Sequence, residues 1–216
     1  EEYAYSGEIG LTQKMGSVAK IDVSAYYVHL QDALVRRNYQ LNGQDSIMYQ
    51  GEMSQVQTIL NAAKAFSYGV EARLDVYFNR QLSLFSMVNY QKGEEELDNG
   101  EQAPLRHSAP LMFRGGLNYK AKNFRAELYG IYNGEVANED LAPSEQEKDY
   151  MYAIDENGQP YSPSWYTINA KVLYDINQNL SVSAGWENIT NQRYRPYSSG
   201  IVAAGSNLIL SVRYNF

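Results

Sequence analysis

The stretch Asn207-Leu208-Ile209-Leu210-Ser211-Val212-Arg213-Tyr214-Asn215-Phe216 decides the fold. Leu208, Leu210, Val212, Tyr214 and Phe216 are apolar or aromatic; Asn207, Ser211, Arg213 and Asn215 between them are polar. Side chains of a strand alternate between its two faces, so this period of two makes one apolar face and one polar face. Upstream, Leu180, Val182, Ala184 and Trp186 oppose Ser181, Ser183, Gly185 and Glu187. Tyr166, Ile168, Ala170, Val172 and Tyr174 oppose Thr167, Asn169, Lys171 and Asp175, and Tyr68, Val70, Ala72, Leu74, Val76 and Phe78 oppose Gly69, Glu71, Arg73, Asp75 and Tyr77. Similar alternation around 5–14, 19–31, 82–90, 112–120 and 124–132 brings the total to roughly nine strands, with room for extensions in 34–62.

The connections alternate too. Short turns fall at Met15-Gly16-Ser17, Asn79-Arg80-Gln81, Ala121-Lys122-Asn123 and Asn177-Gln178-Asn179, and long polar segments at about 32–60, 91–110, 133–163 and 188–205. Short turns at one end and long loops at the other is the layout of an up-and-down transmembrane β-barrel, turns periplasmic and loops outside. By that parity the final strand runs toward the periplasm. A soluble sandwich or lipocalin-like barrel also alternates, but it buries its aromatics in the core. Here they gather near strand ends: Phe78, Tyr119, Phe124, Tyr174 and Phe216 by the turns, Tyr68, Tyr90, Tyr132, Tyr166 and Trp186 by the loops. Ten steps of about 3.3 Å from Tyr68 to Phe78, tilted by about 45°, cover roughly 23 Å, close to the apolar band of such barrels.

Composition agrees. The 216 residues include 20 Tyr, 6 Phe and 2 Trp, and amphipathic rings favour the membrane–water boundary. No run reaches the roughly 18 unbroken apolar residues of a membrane helix, but barrel strands escape that test. There is no Cys, hence no disulfide or thiolate metal site. The net charge of −7, without a basic stripe, argues against nucleic acid. No signal peptide is visible, so an exported chain would have been processed or be part of a longer one.

Three segments resemble the TonB-dependent outer-membrane receptors. Asn61-Ala62-Ala63-Lys64-Ala65-Phe66-Ser67-Tyr68-Gly69-Val70-Glu71 looks like a recurrent N-x-x-x-A-x-x-x-G-V-E strand opening of that family. Ala103-Pro104-Leu105-Arg106-His107-Ser108-Ala109-Pro110 followed by Arg114-Gly115-Gly116-Leu117 is similar to its Pro-rich loop descending into a strand. The tail from Glu187-Asn188-Ile189-Thr190-Asn191-Gln192-Arg193-Tyr194 through Gly205-Ser206-Asn207 to Phe216 resembles its closing segment, with Ser206 where a basic residue is commoner. The resemblance implies a bacterial (Gram-negative) outer-membrane location and a barrel of about 22 strands around a plug domain. Residues 1–216 would be the C-terminal part of that barrel, lacking the plug, with Phe216 as its end and a determinant of barrel assembly. It further implies active uptake of a scarce ligand such as a siderophore, cobalamin, haem or glycan. Energy would come from the TonB complex acting through the plug. Partners would then be the lipid bilayer, the rest of the barrel with its plug, TonB and a small-molecule ligand. An open nine-stranded sheet cannot stand alone in lipid, because its edges leave backbone groups unpaired. The alternative is a small self-contained outer-membrane barrel, structural or enzymatic at its rim.

Candidate site residues divide by face. Glu71, Arg73, Arg125, Glu127, Lys171 and Arg213, with Glu8, Lys20, Asp22, Asp75, Asp175 and Glu187, lie on polar faces toward a lumen or plug. Neighbouring Glu71/Arg73 and Arg125/Glu127 are each expected to pair across strands, which is ordinary chemistry for a watered wall. In the loops Tyr150, Tyr152, Tyr161, Trp165, Arg106 and His107 are the ligand-binding candidates. The tyrosines and Trp165 would serve equally as interface anchors. His29 and His107 lack metal-motif spacing, and the runs Glu94-Glu95-Glu96-Leu97-Asp98 and Asp155-Glu156-Asn157-Gly158 fit no calcium loop. No metal or cofactor is therefore assigned. No G-x-S-x-G, H-E-x-x-H or phosphate loop occurs, so no catalytic residue and no enzyme is expected. The long loops are rich in acids (Glu94, Glu95, Glu96, Asp98, Glu101, Glu139, Asp140, Glu145, Glu147, Asp149, Asp155 and Glu156). That sign steers toward a neutral or cationic ligand such as a corrinoid, carbohydrate or hydroxamate chelate, away from a catecholate. Arg36, Arg37, Arg106, Arg193 and Arg195 are a candidate basic spot against that trend.

Overall fold

In the computed structural model, residues 2–97, 100–148 and 150–216 are described, without the side chains of 33–37 and 60–63. Asp98, Asn99 and Asp149, and the side chains of Arg36 and Arg37, thus lie outside the described residues. Nine long strands follow one another: β1 (Tyr3–Met15), β2 (Ala19–Asn38), β3 (Gln57–Tyr77), β4 (Leu82–Glu96), β5 (Met112–Ala121), β6 (Phe124–Asn133), β7 (Trp165–Asp175), β8 (Leu180–Glu187) and β9 (Asn207–Tyr214). Each pairs antiparallel with its sequence neighbours, giving a single meander in chain order. Gln102–Pro104 adds a short pairing to the upper end of β4.

The register keeps the faces continuous. Trp186, Ala184 and Val182 of β8 face Leu208, Leu210 and Val212 of β9 on one side and Ala170, Val172 and Tyr174 of β7 on the other. The same face continues through Tyr132, Leu128, Ala126 and Phe124 to Phe113, Leu117 and Tyr119, then to Val88, Leu84 and Leu82. It reaches Ala72, Leu74 and Val76, then Val23 and Ile21, then Leu11 and Ile9. Ser86 and Gln13 are polar exceptions. A one-residue slip anywhere would invert this face, so eight matching registers are strong grounds for it. The row lies bare, with Leu210 at 79% and Ile9 at 75% exposure. A soluble sandwich would have buried it; lipid is the medium that covers it. Phe113, Tyr132 and Tyr166 follow one another across three adjacent strands at the loop end, and Tyr119, Phe124 and Tyr174 mark the turn end. These are the two aromatic girdles.

Turns explain the hairpins. Asn79 Oδ1 accepts the N–H groups of Gln81 and Leu82, and Asn177 Oδ1 those of Asn179 and Leu180. Both are Asx turns, the local chemistry that lets Asn close a short connection. Gly16 takes φ +58° in the first turn. Gly69 has another reason: the Tyr26 ring of the adjacent strand lies across it, and a Cβ there would fall 2.6 Å from that ring. Tyr26 in turn donates to Gln91 Oε1 at 3.0 Å, so this inner-face packing requires the glycine of the Gly-Val-Glu segment.

Within 34–62, β2 and β3 stay paired out to Asn38 and Gln57, with a bulge between Leu30 and Ala33 where Asp32 takes φ +55°. A hairpin of Ser46–Tyr49 and Glu52–Gln55 lies beyond. The run Glu94-Glu95-Glu96 is strand, so its side chains alternate and do not converge on one cation. The long loops are predicted to be outside: Asn157→Cys, exposed at a loop tip, should label in intact cells, and Arg80→Cys should not. Arg80 serves better than Asn79, whose side chain closes its turn. Labelling of Arg80→Cys alone would reverse the strand directions.

Candidate functional site

The loop 134–164 begins as acidic polar chain, yet Leu141-Ala142 interrupts it with two apolar residues that are almost wholly buried. A 3₁₀ turn (Asn138–Asp140) precedes them. Pro143, suited to the first position of a helix, starts the single turn Pro143–Gln146. Gln146 donates to the carbonyls of Asn138 and Leu141, and Asn138 donates to that of Pro160. Val136, Leu141 and Tyr152 form a small core with Met151 and Tyr197 against it. This packing turns Glu145 inward, to 1% exposure.

Glu145 then joins three loops. Tyr152 and Ser198 donate to Oε1, each at 2.9 Å, and Tyr197 donates to Oε2 at 2.8 Å. His107, from 97–111, brings Nε2 to 3.9 Å from Oε1. Burial by itself raises the Glu145 carboxyl pKa, but the donors Tyr197, Ser198 and Tyr152 and the nearby His107 outweigh it and hold it below the ordinary range. Burial, and then the bond to Glu145, push Tyr152 up to about 12 and raise Tyr197 as well. The positive charge of Arg106 acts in the opposite sense on both phenols. Carboxylate and phenols thus hold the charge states that suit hydrogen bonding across neutral pH.

The base of 188–206 is closed by two asparagines of the tail segment. Asn188, buried and at φ +48°, donates to the carbonyls of Gln192 and Ala204 and accepts the Gln192 N–H. Asn191 Oδ1 accepts the Ser206 N–H at 3.0 Å. Asn169 Oδ1 receives the Asn188 N–H, so Asn169, read from the alternation as a watered inner-face residue, is buried at the loop's foot.

The other expected site residues fall as follows. Tyr152 and His107 come together at Glu145, and Arg106 is the sequence neighbour of His107. Trp165 stacks on Tyr194 with centroids 4.0 Å apart, and with Tyr152 it lines a cleft of about 510 Å³. Tyr150 is exposed and Tyr161 pairs with Ala153 in a two-residue ladder; neither lines that cleft. On the inner face Arg73 forks onto Asp75 at 2.8 and 3.0 Å, and Glu71 accepts from Asn89. Arg125 reaches Asp175 at 2.7 Å, and Glu127 takes Arg114 at 2.9 Å. Glu71, Arg125 and Glu127 thus have partners across strands and Arg73 has one on its own strand, all of which long side chains reach diagonally or along one face. Lys171 is exposed opposite Glu127, and Arg213 is exposed opposite Ser181. Phe216 is fully exposed, edge-on to Tyr214. His29 belongs to the outward row beside Tyr5 and Phe66, on a different strand and side from the Glu145 cluster. Among the described residues no group of three or more His, Cys, Asp and Glu could hold a metal. The Asp155 carboxylate caps its own turn, accepting the Asn157 and Gln159 N–H groups.

Bare apolar outer face, paired girdles, polar inner face and loops on one side define the wall of a transmembrane β-barrel. Within that class, the chain belongs to the TonB dependent receptor-like beta-barrel family, whose family model matches residues 1–189. It is thus an outer-membrane chain of a receptor family and not of an enzyme family. Among solved structures it is similar to the copper transporter OprC, at 16% identity and TM-score 0.74, covering 100% of this chain and 31% of that one. It is also similar to the FrpB iron transporter from Neisseria meningitidis (F3-3 variant), at 16% identity and TM-score 0.69, with 100% and 31% covered. A third is the ferric yersiniabactin uptake receptor FyuA from Yersinia pestis, at 16% identity and TM-score 0.61, with 100% and 30% covered. The chain spans about a third of the length of these structures. No curated protein matches it.

Proposed function

We propose that this chain supplies about two-fifths of the wall, and four outer loops, of an active-transport receptor whose barrel has about 22 strands. One observation carries the reading: loops 97–111, 134–164 and 188–206 are tied at Glu145 over a wall whose inner face is polar and whose outer face is apolar. That is a shaped mouth above a watered interior, as uptake requires. The inner charges Glu71, Arg73, Arg125, Glu127, Lys171 and Arg213 face the lumen and the plug that such receptors carry. TonB would act through that plug. Phe216, at the turn-side end of the outward row, would mark the strand for barrel assembly. The small self-contained barrel is disfavoured by topology: among the described residues β1 and β9 are the sheet's outer strands and do not pair with each other.

The related structures are described as transporters of copper, of iron and of a ferric chelate. A metal ion or metal chelate is accordingly the substrate class we assign, with Tyr150, Tyr152, Tyr161, Trp165, Arg106 and His107 as the loop-side candidates. The acid surplus of 134–164 favours a neutral or cationic form over a polyanionic one. Whole-cell accumulation of a labelled cupric ion, hydroxamate chelate and catecholate chelate tests this, with and without the energy-transducing partner. Energy-dependent uptake of one of the first two is expected. Tight binding of the triply charged catecholate that weakens steeply with salt would overturn the charge argument. Uptake of none of the three would overturn the substrate class.

A further inference from the structure

The cleft beside Trp165 has a lining that a lumen-side ligand pocket does not explain. Tyr132 and Tyr166, cross-strand neighbours in the upper girdle, belong to the membrane-facing row, and both line it. The opposite wall is the loop segment Gln192-Arg193-Tyr194-Arg195-Pro196, with Val202 beyond. The cleft therefore reaches the membrane side of the barrel at the level where strands give way to loops.

Its charge is also out of keeping with the neighbouring loop. Segment 134–164 holds Glu135, Glu139, Asp140, Glu145, Glu147, Asp149, Asp155 and Glu156 against Lys148; segment 188–206 holds Arg193 and Arg195 and no acid. Arg195 uses Nη1 on the carbonyls of Tyr150 and Met151, which leaves its other guanidinium nitrogens uncommitted in those contacts. Arg193 is exposed and forms no hydrogen bond or ion pair with the described residues. Two guanidinium forks, a stacked Trp165–Tyr194 pair and membrane-facing rings thus surround one space of about 510 Å³. Guanidinium forks match phosphate oxygens, indole and phenol faces pack against sugar rings, and Tyr132 and Tyr166 continue onto the surface that acyl chains cover.

We propose that this cleft binds the headgroup of a phosphorylated, acylated glucosamine lipid of the outer leaflet, with Arg193 and Arg195 on the phosphate and Trp165 against the sugar. The cleft opens toward the membrane side through Tyr132 and Tyr166, and occupancy by a boundary lipid would brace 188–206 against the wall.

The test is titration of the full receptor in detergent with a bisphosphorylated, acylated glucosamine disaccharide, its dephosphorylated form and inorganic phosphate, read by native mass spectrometry. Saturable binding of the first is expected. Binding should fall about tenfold or more for the dephosphorylated lipid and for Arg193→Gln, the loss expected for one charge-assisted hydrogen bond. Arg193 has no partner among the described residues, so its substitution leaves the loop's described bonds in place; Arg195→Gln does not share that property and serves only as a second arm. Equal affinity of Arg193→Gln and the parent, or of the two lipids, would overturn the proposal. Full competition by inorganic phosphate would overturn it too, by showing a bare anion site with no lipid contact.

Discussion

Replacing Leu210 by Arg will stop the assembled barrel from accumulating, whereas Arg one residue along, at Ser211, will be tolerated. Leu210 stands in the outward row beside Ala184, and Ser211 faces inward opposite Ser183. An arginine held at mid-height against hydrocarbon costs about 2–4 kcal/mol, while an inward one stays hydrated. Val172→Arg, opposite Ala126 and Ala184, should behave like Leu210→Arg. Asn169 is unsuitable as the inward control, although its polar-face position suggests it. Its side chain is buried and holds the Asn188 N–H, so Arg there would break the foot of the last loop for a reason unrelated to lipid. Heat-modifiable gel mobility reads the outcome, and equal tolerance of Leu210→Arg and Ser211→Arg would show that the faces are inverted.

Glu145→Ala should release the outer loops while leaving the wall intact. The substitution strands the Tyr152, Tyr197 and Ser198 hydroxyls in a buried space, each at a cost of about 1–3 kcal/mol where water does not reach it. Loops 134–164 and 188–206 should then become protease-sensitive and lose hydrogen-exchange protection, with heat-modifiable mobility unchanged. Unaltered protection would mean that Glu145 is not the tie. The pH dependence follows from the same shifts. The Glu145 carboxyl is depressed on folding, so its contribution is present above the ordinary carboxylate range and is lost as pH falls through the folded value. Tyr152 is raised, so its contribution is present below the ordinary phenol pKa and is lost as pH climbs toward about 12. Loop protection should be flat through neutral pH and decline at both extremes; a loss centred near pH 6 to 7 would contradict this assignment.

The wall was legible because its determinants are local. A period of two, repeated in nine segments, needs no knowledge of what is distant, and Asn79 and Asn177 announce their turns by side chains that bond within their own connection. Aromatics at strand ends located the girdles in the same way. The loop site was less legible, because its contacts join residues with no periodic relation. Glu145 reads as one more loop acid, and its donors come from Tyr152 and, more than 50 positions on, from Tyr197 and Ser198. A local signal did exist in Leu141-Ala142-Pro143, an apolar step and helix start inside an acidic loop, which marks a point of burial. Tyr152 and His107 were recognisable as site residues by type, but not as partners of one carboxylate. Ion-pair partners on the inner face were likewise beyond reach: Arg125 prefers Asp175 of the adjacent strand to Glu127 of its own, a choice set by register and side-chain reach.

The claim on which all else rests is that this sheet is a wall with lipid on its even-numbered face along β9. Nitroxide labels placed singly at 208 through 213 in the full receptor, in bilayers, measure it directly through collision with oxygen and with a water-soluble nickel chelate. Labels at Leu208, Leu210 and Val212 should favour oxygen, and labels at Ile209, Ser211 and Arg213 the nickel chelate, in strict alternation. Inverted phase, or accessibility without a period of two, would contradict the account.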